Sequence, residues 1–116
     1  MITESKVLQR YTITQPGQER LSFQTETGFR SFLYFHIHEV SLEAGEPDEV
    51  LYVHHARYLI RLCGKNLRPL YLSLLVEEIL EIPKIEKHVG DNESYVSYIE
   101  IMENLEHLKD RIQQTT

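Results

Sequence analysis

Tryptophan is absent from the 116 residues, and cysteine occurs once, at Cys63. A single thiol excludes an intrachain disulfide and a cysteine-rich zinc site. Cys63 lies in LIRLCGK, an apolar, strand-like setting. There it reads as a small buried hydrophobe rather than a reactive thiol. No apolar run approaches the roughly 20 residues that span a bilayer. The opening MITESKVLQR lacks the apolar core of a signal peptide. These absences lead to the expectation of a soluble, cytoplasmic protein. No repeat, low-complexity stretch or linker divides the chain, and its length suits one domain over 1–116 with one core. GxSxG is missing, and no Ser-His-Asp or Cys-His set can be assigned by spacing. The acid pairs Glu77-Glu78 and Glu100/Glu103 read as solvated faces, so enzymatic chemistry is not the first expectation.

Aromatic mass comes from seven Tyr and four Phe, and the apolar fraction of 41% is that of an ordinary globular chain. The net charge of −6 is unevenly spread. Both ends are acidic. Residues 50–76 carry Arg57, Arg61, Lys65 and Arg68 and no acid. Such a middle can pair with the flanks, pair across an oligomer, or bind an anion.

Periodicity predicts an α+β fold, a single domain with an antiparallel sheet, one packed helix and a C-terminal helix. KVLQRYTITQ alternates and reads as a strand stopped by Pro16-Gly17; ERLSFQT reads as another. FRSFLYFHIHEVSLEA is a long β-rich run, and GEPDE turns it. VLYVHHARYLIRLC reads as the next strand. A helix is the alternative there, with Pro47 early and Gly64 at its C-terminal cap, but Val50, Tyr52, Val53, Tyr58 and Ile60 favour strand. Leu67, Leu70, Tyr71, Leu74, Leu75 and Ile79 then follow one helix face. A packed helix is expected over about 66–80, with Asn66 as N-cap and Pro69 in the first turn. For the remainder, a hairpin of PKIEKHV with SYVSYIEI followed by a C-terminal helix from about Asn104 is preferred to one helix from Ser94 to Gln113.

Four of the six histidines, His36, His38, His54 and His55, fall within twenty residues. Pairing 32–44 with 49–61 so that Ala44 faces Glu49 sets His38 opposite His55 and His36 opposite Arg57. Residues two apart share a strand face. His36, His38, His55 and Arg57 then lie together, and Leu33, Phe35, Ile37, Ala56, Tyr58 and Ile60 form a core face. Slipping the register by one substitutes His54 for His55. A divalent metal could be held by such a cluster, although Arg57 beside a dication is unfavourable. HIHEVSLE, with Glu43 five positions after His38, resembles the first ligand motif of cupins over eight residues. The framing glycines are not at their usual spacing and the second motif is missing, so the cupin function is not carried over.

Three functional readings follow. The first is a non-catalytic interaction or regulatory domain, self-associating as a homo-oligomer, a dimer in the first instance. It would use a face rich in His, Tyr and Arg, with Tyr34, Arg57 and Arg61 on it. The second is a metal-binding protein or metal-dependent enzyme at the histidines; the first reading needs no cofactor. The third is an anion or nucleic-acid site in the basic 57–68 segment, with Lys65, Asn66 and Arg68 where a strand hands over to a helix N-terminus. A Walker motif is not present, and a pI of about 5.5 argues against nucleic acid. No membrane partner is expected.

Overall fold

Two periods, one of two residues and one near four, write the architecture. Leu21 and Phe23, then Leu51 and Val53, then Ile60 and Leu62, each stand two apart and are fully buried. That is the spacing a half-buried strand requires. Leu67, Leu70 and Leu74 step by three and four and are buried as one helix face. The computed structural model describes residues 8–45, 47–85 and 92–103.

The fold is α+β, with two sheets where the periodicity suggests one. The larger is built from β1 (Leu8–Gln9), β5 (Ile37–Glu43), β6 (Glu49–His55), β7 (Tyr58–Lys65) and β9 (Glu93–Glu103), in the order β1-β9-β7-β6-β5. The smaller contains β2 (Thr12–Ile13), β3 (Arg20–Thr25), β4 (Gly28–Leu33) and β8 (Ile79–Ile82), in the order β2-β8-β3-β4. Most pairings are antiparallel; β1 with β9 and β3 with β8 are parallel. Among the described residues one helix, α1 (Arg68–Leu75), completes the set. Phe23 and Phe32 from the smaller sheet, Leu51, Val53, Ile60 and Leu62 from the larger, and the α1 leucines form a single apolar cluster. Among the described residues no helix is long and apolar enough to cross a membrane.

Several expected elements are divided or shortened. The strand expected at the N-terminus splits at Arg10-Tyr11 into β1 and β2, one in each sheet. Two bonds hold the split. Arg10 donates to the Glu93 carboxylate at 2.6 Å, and the Tyr11 and Ser94 hydroxyls are 2.8 Å apart in the interior. The long run from Phe29 breaks at a 3-10 turn, Tyr34–His36, where the chain leaves the smaller sheet for the larger. VLYVHHARYLIRLC is β-structured as expected, yet it is two strands. Ala56 and Arg57 reverse the chain between β6 and β7 without any of the residues that usually announce a turn.

The helix expected over 66–80 stops at Leu75. Glu77 takes a left-handed φ of 58°, and its N–H bonds to the Leu74 carbonyl at 3.1 Å. The Ser73 hydroxyl donates to the Glu78 carboxylate at 2.6 Å, which seals the end. Ile79, read as the last residue of the helix face, instead opens β8 between β2 and β3. At the other end Leu67, not Asn66, holds the cap position, and Pro69 lies in the first turn as expected. Beyond Pro83, Lys84 meets Val96 in a parallel bridge rather than as an arm of the expected hairpin. SYVSYIEI is strand, because β9 spends its length on β7, from Tyr58↔Glu103 to Lys65↔Tyr95. The alternative helix from Ser94 is thereby excluded. The helix expected from Asn104 lies outside the described residues.

Candidate functional site

The β5–β6 hairpin has the expected register from Glu39↔His54 to Glu43↔Val50. A one-residue bulge then intervenes, and Ile37 rather than His38 pairs with His55. A bulge leaves its extra residue unpaired in the ladder. His38 is that residue. It is exposed and borders a separate small depression with Tyr34, Glu39, Leu74 and Glu77. His36 belongs to the 3-10 turn, and its carbonyl accepts the Ala56 N–H at 2.9 Å.

The faces are also reversed from expectation on β6. His55 lies with Leu51 and Val53 on the buried side and is 7% exposed. Phe35, expected in the core, is 90% exposed. Alternation explains the choice. Leu51 and Val53 bring more apolar surface inward than Tyr52 and His54 would, and His55 follows them. His54 is on the opposite face, 3.3 Å from the Ser41 hydroxyl and beside Tyr52. The four histidines therefore divide among three environments. Among the described residues no group of three or more His, Cys, Asp or Glu is placed to hold a metal ion.

What does assemble is a basic basin. Its centre is His55. The Arg57 backbone N–H donates to His55 Nδ1 at 3.0 Å. That nitrogen must be unprotonated to accept, so the ring proton resides on Nε2 and remains available as a donor. The ring meets Phe32 at 5.1 Å and His36 and Tyr58 at 5.6 Å each, edge-on or tilted. Burial, and then the neighbouring His36, His38 and Arg57, hold its pKa below the ordinary histidine value. His55 is therefore neutral at neutral pH.

Around this ring stand three arginines from three elements. Arg20 opens β3, opposite Leu33. Arg30 on β4 lies over the Phe32 ring at 5.3 Å and the Tyr58 ring at 5.0 Å. Arg57 occupies the β6–β7 turn. With His36, His55, Ser31 and Tyr58 they border an open depression of about 440 Å³. The described ion pairs join Arg10 to Glu93, Arg61 to Glu100 and Lys65 to Asp48. None of them engages Arg20, Arg30 or Arg57. Glu19 precedes Arg20, and Glu103 lies across from Tyr58; neither is within ion-pair distance of these arginines. In a chain of net charge −6, three neighbouring arginines that no carboxylate among the described residues pairs with are a local inversion of the field.

The other expected site residues are engaged elsewhere. Lys65 pairs with Asp48 at 3.2 Å and also donates to the Pro47 carbonyl. Asn66 donates its amide to the Glu93 carbonyl at 2.9 Å, from a left-handed backbone with φ 52°. Arg68 is exposed at the first turn of α1. The start of that helix already has its own carboxylate, because Glu49 accepts the Leu67 N–H at 3.1 Å. Tyr34, expected on an exposed face, is buried and donates its hydroxyl to the Ile79 carbonyl at 2.6 Å. Arg61 sits on the outer sheet face across from Tyr52 and Glu100, away from Arg57. Cys63 is half-buried, and burial pushes its thiol pKa up, away from nucleophilic use.

Of the basin residues, Arg20 and Arg30 escape a reading that looks for charge clusters along the chain. FRSF does carry a signal: on a strand, Arg30 and Phe32 share a face. The chain matches no protein-family model, no curated protein and no solved structure.

Proposed function

We propose that this is a non-catalytic interaction domain whose working surface is the basic basin, and that it receives an anionic group of its partner there. The observation that carries the reading is the convergence of Arg20, Arg30 and Arg57 on one depression, with no ion pair to any of them among the described residues. Arginines so placed repel one another, and an incoming anion relieves that repulsion while using their planar forks. Phe35, 90% exposed and ring to ring with His36 at 5.6 Å, offers an apolar anchor at the rim. Aromatic side chains and arginine are enriched at protein interfaces.

The test is thermal stability at low ionic strength across a series of sodium salts: chloride, acetate, sulfate and citrate. Saturable stabilisation by the multivalent anions, absent in Arg57→Glu, is the expected result. A response to all four salts that follows ionic strength alone, in wild type and variant alike, overturns the reading. Self-association is a second reading, favoured by Phe35 and by Leu72, Leu75 and Val76, exposed at 48–52% at the end of α1. Sedimentation at micromolar concentration tests it: a dimer that dissociates in Phe35→Ser or Leu75→Ser supports it, and a monomer refutes it.

A further inference from the structure

The basin's donors are too many and too dispersed for a single carboxylate. A carboxylate has one negative charge and two oxygens in one plane. Three guanidinium groups bring a fixed charge of three and come from β3, β4 and the β6–β7 turn. A phosphate monoester has ~1.5–2 negative charges at pH 7 and three terminal oxygens in a tetrahedral arrangement. It can meet several guanidinium forks from different sides, whereas a carboxylate is saturated by one or two.

Arg30 is prepared for that role. The faces of Phe32 and Tyr58 lie against its guanidinium at 5.3 and 5.0 Å. Cation–π contact with the two rings holds the guanidinium in place without neutralising its charge. His55 adds a neutral donor. Its Nδ1 is taken by the Arg57 backbone N–H, so Nε2 carries the proton. A neutral N–H donor suits a phosphate oxygen without adding a fourth charge. The depression, about 440 Å³ and open to solvent, is larger than a phosphate group alone. It has room for the carbon group that bears the ester, against the aromatic wall of Tyr58.

We propose that the basin is a phosphate-monoester site, in which Arg20, Arg30 and Arg57 hold the dianionic phosphate and His55 donates a further hydrogen bond. This rests on the anion-binding reading above and specifies its ligand. The phosphate could belong to a small metabolite or to a modified side chain, and the probes separate these sources.

The experiment is calorimetric titration of the full chain in phosphate-free buffer at low salt. The probes are glycerol 3-phosphate, N-acetyl-O-phosphotyrosine amide and succinate. Arg30→Gln and Arg57→Gln are titrated in parallel with wild type, and Arg57→Lys serves as a variant that keeps the charge and loses the fork. The expected result is that at least one monoester binds about tenfold or more tightly than succinate. Each glutamine variant should weaken that binding about tenfold, and Arg57→Lys should weaken it several-fold. Preference for the glycerol ester assigns a metabolite, and preference for the tyrosine ester assigns a modified side chain. Succinate binding as tightly as both monoesters, and still depending on Arg57, overturns the phosphate assignment and leaves the anion basin standing. Absence of any Arg57-dependent binding overturns both.

Discussion

Replacing His55 by Phe tests whether the neutral imidazole at the centre of the basin is as the geometry describes it. The ring is 7% exposed and accepts the Arg57 N–H through Nδ1. Phenylalanine keeps the contacts with Phe32, His36 and Tyr58 and removes the acceptor. The lost bond costs about 1 kcal/mol, and the Arg57 N–H, on an exposed turn, regains a bond to water. Burial of an apolar ring in place of a polar one offsets part of that cost. At pH 7.5 the variant should therefore lie within about 1 kcal/mol of wild type. The pH dependence is the sharper readout. The folded-state pKa of His55 is depressed below its ordinary 6.5, chiefly by burial. Between the two values the unfolded chain binds the extra proton, so stability is full above pH 6.5 and is lost as pH falls through the folded pKa. The loss attributable to this one group is at most ~1.4 kcal/mol per pH unit. Protonation would also turn Nδ1 into a donor and break its bond to Arg57. Urea unfolding followed by far-UV circular dichroism from pH 7.5 to 5.5 measures it. Wild type should lose stability relative to His55→Phe as pH falls, since His36, His38 and His54 are present in both. Parallel stability curves for the two proteins would refute the assignment of a buried neutral His55.

Three further perturbations probe how the scaffold holds the site. Tyr34→Phe removes the buried hydroxyl that donates to the Ile79 carbonyl. A loss of about 1–2 kcal/mol is expected, and urea titration with an unchanged m-value should show it. Gly64→Ala brings a Cβ onto the Tyr95 carbonyl where β7 meets β9. Backbone cannot move aside as a side chain can, so about 3 kcal/mol of stability should be lost and hydrogen exchange along β9 should accelerate. Glu49→Ala leaves the Leu67 N–H at the start of α1 without its carboxylate partner. Destabilisation of about 1 kcal/mol is expected, and Glu49→Gln, which keeps an acceptor oxygen, should recover part of it.

The α+β class, the helix that begins near Leu67 and the β-character of 49–63 were all legible in the chain, because each depends on the local period of apolar residues. The hairpin register from Glu39 to Glu43 followed from centring the turn on Gly45–Asp48, so that Ala44 faces Glu49. The candidate site was only half legible. His36, His55 and Arg57 stand out in the sequence, whereas Arg20 and Arg30 become their neighbours only when the smaller sheet is laid against the end of the larger one. The chain reversal at Ala56-Arg57 and the bulge at His38 have no residue signature, since neither uses a glycine, proline or asparagine. The reversal is what brings Leu51, Val53, Ile60 and Leu62 onto one buried face.

The sequence by itself determined which residues are apolar at which period, and hence the strands, the helix and the charge of each segment. Only the tertiary structure decided which face of β6 is inside. It also decided where α1 yields to β8, and which cations meet a carboxylate among the described residues. The physical reason is range. Periodicity acts between residues a few positions apart. Burial, helix termination at Glu77 and the meeting of three arginines depend on groups that come together only when the two sheets close on one core.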